Sequence, residues 1–202
     1  MDFTWWQILL MWVVLIAAVF AYVKIKEKLN LKKAATGEDQ GRIVGIFKSL
    51  LPDNWQNYKI AFAHWEKTEY RGRSRITHYW SYAIAFTNDE LFVAPLLCED
   101  REIRYKNWYR ITPEDIGFIN ARDDGDWMTI YDNEQKDLLT LQVEAENTKS
   151  DRYHPVNIVQ RDEADAFKSL ICNWMKEING KKGIEVSGIP EYPFKLKKKK
   201  KK

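Results

Sequence analysis

The chain has 202 residues, enough for one domain of ordinary size with a real core plus appendages. Its net charge of +3 is unevenly spread: twelve of the 32 lysines and arginines lie in two clusters, Lys24 to Lys33 and Lys195 to Lys202, and the other 20 face 27 acidic residues between 34 and 194, a net of −7. An acidic body speaks against a globular nucleic-acid binder, and two cysteines 74 residues apart, Cys98 and Cys172, speak against a disulfide framework or a cysteine metal site and fit buried thiols in a reducing compartment.

The first element is "WWQILLMWVVLIAAVFAYV", Trp5 to Val23, without charge, proline or glycine. Nineteen residues at about 1.5 Å each give roughly 28 Å of helix, against a hydrocarbon thickness of about 30 Å. Trp5 and Trp6 at one end and Tyr22 at the other suit the headgroup depth. A cleaved signal peptide needs a positive leader and a small-residue cleavage site; "MDFT" offers only Asp2, and "AVFAYVK" is a poor site. Lys24, Lys26, Lys28, Lys32 and Lys33 follow instead, and basic residues are retained on the cytoplasmic side. The expectation is a single-pass protein with residues 1–4 outside, 5–23 as the span and the remainder cytoplasmic.

Residues 24–57 read as a basic juxtamembrane extension of that helix, stopped near Gly37, and a second, amphipathic helix with Ile43, Val44, Phe47, Leu50 and Leu51 on one stripe, ended by Pro52. Packing on the body and lying in the membrane interface are both open to it; its polar face is not especially basic, which favours packing.

From Tyr58 the period changes. "YKIAFAHWEKTEY" and "ITHYWSYAIAFT" flank "RGRSR" as two antiparallel strands around a turn, although Trp55, Tyr58, Phe62 and Trp65 also fit a helical stripe. "AIAFTNDELFVAPLL" is a hairpin turning at Asn88-Asp89. "IRYKNWYRI", "IGFINA", "WMTIY" and "LLTLQVEA" bring the count to about seven strands, the spacing of a small sandwich or barrel. "DEADAFKSLICNWMKEING" then carries Phe167, Leu170, Ile171, Trp174, Met175 and Ile178 on one stripe, with Asp162 or a neighbour as cap and Asn179-Gly180 as stop. Such a one-sided helix must dock, and the open end of a barrel is available. Residues 181–194 read as an extended linker and 195–202 as a polylysine tail.

Beneath a cytoplasmic leaflet the nearest polyanion is anionic lipid, and each of Lys195, Lys197, Lys198, Lys199, Lys200, Lys201 and Lys202 is worth about 1 kcal/mol there. That is far less than the span provides, so the tail's expected task is orientation rather than attachment. A solvated tail that aids solubility, a dilysine retrieval signal in a eukaryotic host and a salt-sensitive nucleic-acid tether are the alternatives.

Strands in this order followed by one amphipathic helix resemble the pleckstrin-homology (PH) superfold, and residues 58–180 resemble the bacterial PH-like domains in particular. The likeness rests on "YAIAFTNDELFVAPL" and on "YRITPEDIGFINARDDGDWMTIYDNEQKDLLTLQV" leading to "AFKSLICNWM". It implies a mainly β fold with α: after the N-terminal transmembrane helix, a seven-stranded, partly open PH-like barrel or sandwich capped by a C-terminal helix. It also implies a binding module, often joined to transmembrane helices in bacteria. Headgroup-binding relatives use basic residues at the first strand–turn–strand, which here matches Arg71, Arg73 and Arg75; Glu66 and Glu69 around Lys67 depart from that pattern.

No cofactor, metal or catalytic residue is called for. His64, His78 and His154 lie in separate elements, no glycine-rich phosphate cradle appears, and "DDGD" (Asp123 to Asp126) lacks the later ligands of a calcium loop and reads as a turn. The resulting expectation is a membrane-anchored, non-catalytic binding or scaffolding module that recognises a protein partner through a face or sheet edge. A domain that itself reads anionic lipid is the alternative, and an enzyme assembled by convergence in space stays open.

Overall fold

A computed structural model describes residues 5–99, 102–105, 107–121, 127–148 and 156–181. The lysine tail, the linker from 182, His154 and the Asp123 to Asp126 turn lie outside the described residues.

Helix α1 (Trp5–Ala35) is continuous from the apolar segment through the lysine cluster. It stops where Gly37 takes a positive φ of 69°, a conformation that side chains with a Cβ resist, and the Gly37 amide reaches back to the Ala34 carbonyl at 3.1 Å. Helix α2 (Glu38–Leu50) starts at once. Glu38 and Asp39 occupy its first turn, where acidic groups suit the helix dipole, and Arg42 pairs with both.

The strands are β1 (Lys59–Arg71), β2 (Ser74–Phe86), β3 (Leu91–Glu99), β4 (Glu102–Tyr105), β5 (Tyr109–Ile111), β6 (Ile116–Ala121), β7 (Trp127–Asp132), β8 (Asp137–Gln142), β9 (Glu146–Asn147) and β10 (Ile158–Val159), before helix α3 (Arg161–Lys181). Eight of them form one antiparallel sheet in the order β4-β3-β2-β1-β8-β7-β6, with β5 beside β3, and β9 and β10 form a separate pair. The expected single strand over "IRYKNWYRI" is two, β4 and β5, which pair with different parts of β3. The helix-or-strand ambiguity over Trp55, Tyr58, Phe62 and Trp65 resolves as a single 3-10 turn at Trp55–Asn57 followed by strand from Lys59.

The body has two cores, one on each face of the β1–β3 region. Ala61, Ala63, Ile84, Phe86, Leu91 and Val93 meet β6–β8 and α3 on one side. Ile60, Phe62, Ala83, Ala85, Phe92 and Ala94 meet Ile43, Ile46 and Phe47 of α2 on the other. The folded body therefore begins at Glu38 rather than at 58, and α2 is one of its layers. Strands covered on both faces lose the polar alternation of a half-buried sheet and read as continuous apolar runs, which is why "KIAFA" alone did not declare its secondary structure.

Helix α3 docks the expected stripe: Phe167, Leu170, Ile171, Trp174, Met175 and Ile178 are all buried. Its ends differ from the sequence expectation. Gln160, not Asp162, precedes the first turn and accepts the Ala164 amide on its carbonyl. Asn179 does not terminate the helix but is fully buried within it. Both amides complete strand backbone. Gln160 accepts the Phe62 amide at 2.7 Å and donates to the Phe62 and Glu144 carbonyls at 2.7 and 2.9 Å, while Asn179 accepts from the Ile119 amide at 3.1 Å and donates to the Ile119 carbonyl at 3.0 Å. Each side chain thus acts as a missing strand neighbour, the cheapest way to satisfy buried backbone that no strand reaches.

Candidate membrane and partner interface

Among the described residues one helix, α1, is long and apolar enough to cross a membrane. Every residue of it from 5 to 29 is exposed, including Trp5, Trp6 and Tyr22, so among the described residues none covers its apolar surface. Thirty-one residues at about 1.5 Å make a rod of roughly 46 Å, some 16 Å longer than a bilayer core. The surplus carries the lysines. It is also where the body attaches: Asn30 donates to the Thr148 carbonyl at 2.5 Å, and Ala34, one turn on, is buried. At 100° per residue, Lys24, Lys28 and Lys32 form one row about 140° from the docked face, and Lys26 and Lys33 another about 70° from it. All five are exposed, and Lys24 pairs with Glu27 at 3.4 Å. Asn30 lies seven residues past Val23, about 10 Å along the helix axis.

The second exposed feature is a ribbon. The β1–β2 ladder runs unbroken from Lys59↔Phe86 to Arg71↔Ser74. Pairing with the neighbours ends early although both strands run on: β8 pairs with β1 only at His64↔Gln142, and β3 pairs with β2 no further out than Ser81↔Leu96. Residues 65–80 therefore leave the sheet as a two-stranded arm of seven pairs, roughly 20 Å long, whose outer edges have no strand partner among the described residues. Its turn is the two-residue loop Gly72-Arg73 with φ 62° at Gly72, the glycine-first geometry whose twist suits a tight hairpin.

The ladder fixes which side chains share a face. Trp65, Lys67, Glu69 and Arg71 lie with Trp80, His78, Ile76 and Ser74 on one side; Glu66, Thr68 and Tyr70 lie with Tyr79, Thr77 and Arg75 on the other. Arg71 and Arg75 thus point to opposite faces and Arg73 stands at the tip, so the arm does not bring the three arginines together. Arg71 instead approaches Glu69 at 3.6 Å, and Lys67 approaches the same carboxylate at 3.4 Å. Thr68 and Thr77 bond through their hydroxyls at 3.0 Å. Tyr70 is 75% exposed, unusual for so large a ring. At the root, Trp65 meets Trp127 edge-on at 5.2 Å and His78 stacks on Trp80 at 5.9 Å.

The cleft of about 860 Å³ at the other end of the sheet is lined by Asp89, Arg110, Glu114, Asp115, Glu177 and Lys181 among others. Four of these six charges, Arg110, Asp115, Glu177 and Lys181, are engaged. Asp115 accepts from the Thr112 amide and hydroxyl, both at 2.8 Å, which hold its carboxyl below the ordinary value, and Lys181 pairs with Glu177 at 2.8 Å. Beside the cleft, Glu90 accepts from the Tyr58 hydroxyl and from Arg110 at 2.5 Å. The Tyr58 bond pushes the phenol up to about 12 and, with Arg110, pulls the Glu90 carboxyl below its ordinary value. Among the described residues no group of three His, Cys, Asp or Glu side chains could hold a metal ion. The ladder places His64 in the α2-side core and His78 on the opposite face of the arm, so the two do not form a dyad.

Neither a family model nor a curated protein matches this chain. Sequence reasoning located the apolar helix and the lysines that follow it but missed the Asn30–Thr148 attachment and the projection of the arm. The signal for the arm was present: after Trp65 the hairpin reads "EKTEYRGRSRITH", with one aliphatic residue in thirteen.

Proposed function

We propose that the protein is a single-pass membrane-anchored binding module whose β-domain works at the cytoplasmic face without catalysis. The observation that carries this reading is the unbroken α1, docked to the body at Asn30 and Ala34 one short step beyond its apolar segment. A hinged linker would let the domain roam; a rigid stalk presents the same face to the cytosol at all times. Lys24, Lys26, Lys28, Lys32 and Lys33, spread over the sides of the stalk that the docked face leaves open, and the lysines from 195 onward add attraction to anionic lipid at the cytoplasmic leaflet. The positive flank of the apolar segment puts the amino terminus outside. The β1–β4 meander, joined through β1 to β6–β8 and followed by α3, supports a PH-like architecture, in which recognition is the common task.

The test is sedimentation of residues 24–202 and 24–194 with neutral and anionic liposomes at two salt concentrations. Binding to anionic liposomes only, weakened by salt and by glutamine at the five stalk lysines, is expected, stronger for the longer fragment. Salt-resistant binding that Arg71→Glu abolishes would replace this reading with a domain that recognises headgroups itself. A reporter fused after Lys202 that works only outside the cytoplasm would overturn the topology.

A further inference from the structure

We propose that the free β1 edge of the arm pairs antiparallel with the same edge of a second copy, in the register that sets Thr68 opposite Thr68. This builds on the reading of the β-domain as a recognition module and names its partner as another copy of the chain.

Exposed strand edges are ordinarily blunted by proline, a bulge, a short length or charged side chains. The edge from Trp65 to Arg71 has no proline or glycine and no register shift in its ladder with β2, and its charges, two acids and two bases, are ordered so that a second copy of the same edge meets them with opposite sign. Its order, Trp-Glu-Lys-Thr-Glu-Tyr-Arg, is self-complementary about its centre. Pairing about Thr68 sets Lys67 against Glu69, Glu66 against Tyr70 and Trp65 against Arg71, each twice by symmetry. Those are an ion pair, a carboxylate facing a phenol and a cation over an aromatic face. Thr68 meets its own copy, the pairing it already makes with Thr77 across the hairpin.

Symmetry removes most alternatives. A two-fold axis through an antiparallel ribbon keeps each residue on its own face, so only registers centred on a residue are allowed. Centring on Glu66, Lys67 or Glu69 sets like charges directly against each other; centring on Tyr70 opposes Lys67 to Arg73. Only the Thr68 register uses all seven free residues with no like-charge pair. The β2 edge of the arm, centred on Thr77, opposes Arg75 to Tyr79 and Ile76 to His78 and gains no ion pair. Confinement of both copies to one bilayer raises their effective concentration, so a short ladder suffices.

The test uses the full chain in lipid vesicles, with Cys98→Ser and Cys172→Ser as background. Opposed Cα atoms in an antiparallel pair stand about 4.5–5.5 Å apart, within reach of a disulfide. Thr68→Cys is expected to cross-link under mild oxidation at least about tenfold faster than Glu66→Cys or Tyr70→Cys alone, whose copies lie about 13 Å apart in this register. A mixture of the Glu66→Cys and Tyr70→Cys chains should cross-link to each other. Adding Lys67→Glu should slow the Thr68→Cys reaction about tenfold, and adding Glu69→Lys to that variant should restore it. The charge swaps are repeated on the chain with native cysteines, read as dimer fraction by native mass spectrometry. Equal cross-linking at 66, 68 and 70, or a dimer indifferent to Lys67→Glu, overturns the proposal, including where α1 alone holds two copies together. Neither result bears on liposome binding, so failure here leaves the membrane-orientation reading intact.

Discussion

From Lys59 to His64 and from Ser81 to Phe86 the β1–β2 hairpin is covered on both faces, by α2 on one side and by α3 with β6–β8 on the other. From Trp65 to Trp80 the same ladder continues in the same register, touching β7 through Trp65 and Trp127 at its root and largely exposed beyond. The root is built of alternating small and large apolar residues, Ala61 beside Phe62, Ala83 beside Ile84, so that two helices can approach closely. The arm is built of threonine, tyrosine, tryptophan and paired charges. Strand structure in the root follows from burial; in the arm it follows from cross-strand pairs and a well-chosen turn, each worth a fraction of a kcal/mol to about 1 kcal/mol. An isolated hairpin of that kind is marginal in water, so the arm stands because the root holds its first pair.

The sharpest way to break this contrast is to delete a ring from each half. Phe62 is 1% exposed under α2, and Phe62→Ala should cost about 3–5 kcal/mol in chemical denaturation of the body. Tyr70→Ala removes a side chain of similar size from the arm and should cost no more than about 0.5 kcal/mol. Comparable losses would mean that the arm is folded onto the body and that its edges are not free.

A smaller effect is expected at Gln160. Gln160→Leu strands the buried amide and carbonyl of Phe62 and removes a bond to the half-buried Glu144 carbonyl, and should destabilise the protein by about 1–3 kcal/mol. Hydrogen exchange is the informative readout: the Phe62 amide should lose protection while amides of the arm are unchanged. Smaller again is Gly72→Ala, which forces a Cβ into the left-handed region and should cost about 1 kcal/mol. That loss should appear as faster exchange confined to residues 65–80, with the melting of the body little altered.

Which parts of this architecture could be read from the chain depends on how many neighbours each residue serves. The α3 stripe was legible because one face is buried and the other wet, the condition under which a 3.6-residue period survives. The long apolar helix and the lysines at 24–33 that continue it were legible because composition alone defines them. The root strands were ambiguous because burial on both sides erases alternation. Gln160 and Asn179 were unreadable in principle: each serves a strand residue 98 or 60 positions away, and nothing local marks an amide as a surrogate strand. The three arginines at the hairpin tip looked like one site because they are close in sequence, whereas the period of two in a strand sends Arg71 and Arg75 to opposite faces. The same rule, applied to Glu66, Lys67 and Glu69, makes the arm's edge self-complementary, and that pattern was on the page from the start.

The smallest expected effect concerns pH, and it belongs to the root alone. Tyr58 stands just before β1 and Glu90 just before β3, and their hydrogen bond, with Arg110 beside it, ties the two strand starts together. The phenol is raised from 10.0 to about 12, so its contribution is complete below pH 10 and is lost as pH climbs from 10 toward 12. The carboxyl is lowered from 4.5, so its contribution is complete above that value and is lost as pH falls through the depressed one. Tyr58→Phe removes the bond common to both shifts. The difference in melting temperature between parent and variant should therefore be flat across the neutral range and shrink at both ends. Arg110 still holds Glu90 in the variant, so the variant keeps part of its acid dependence and none of the parent's alkaline dependence at this position. Taking the difference cancels the titration of the many exposed lysines and carboxylates, which would otherwise mask it. A difference that widens above pH 10 would mean the phenol ionises more easily in the folded chain than in the unfolded one, and the Tyr58–Glu90 tie would have to be abandoned as a feature of the root.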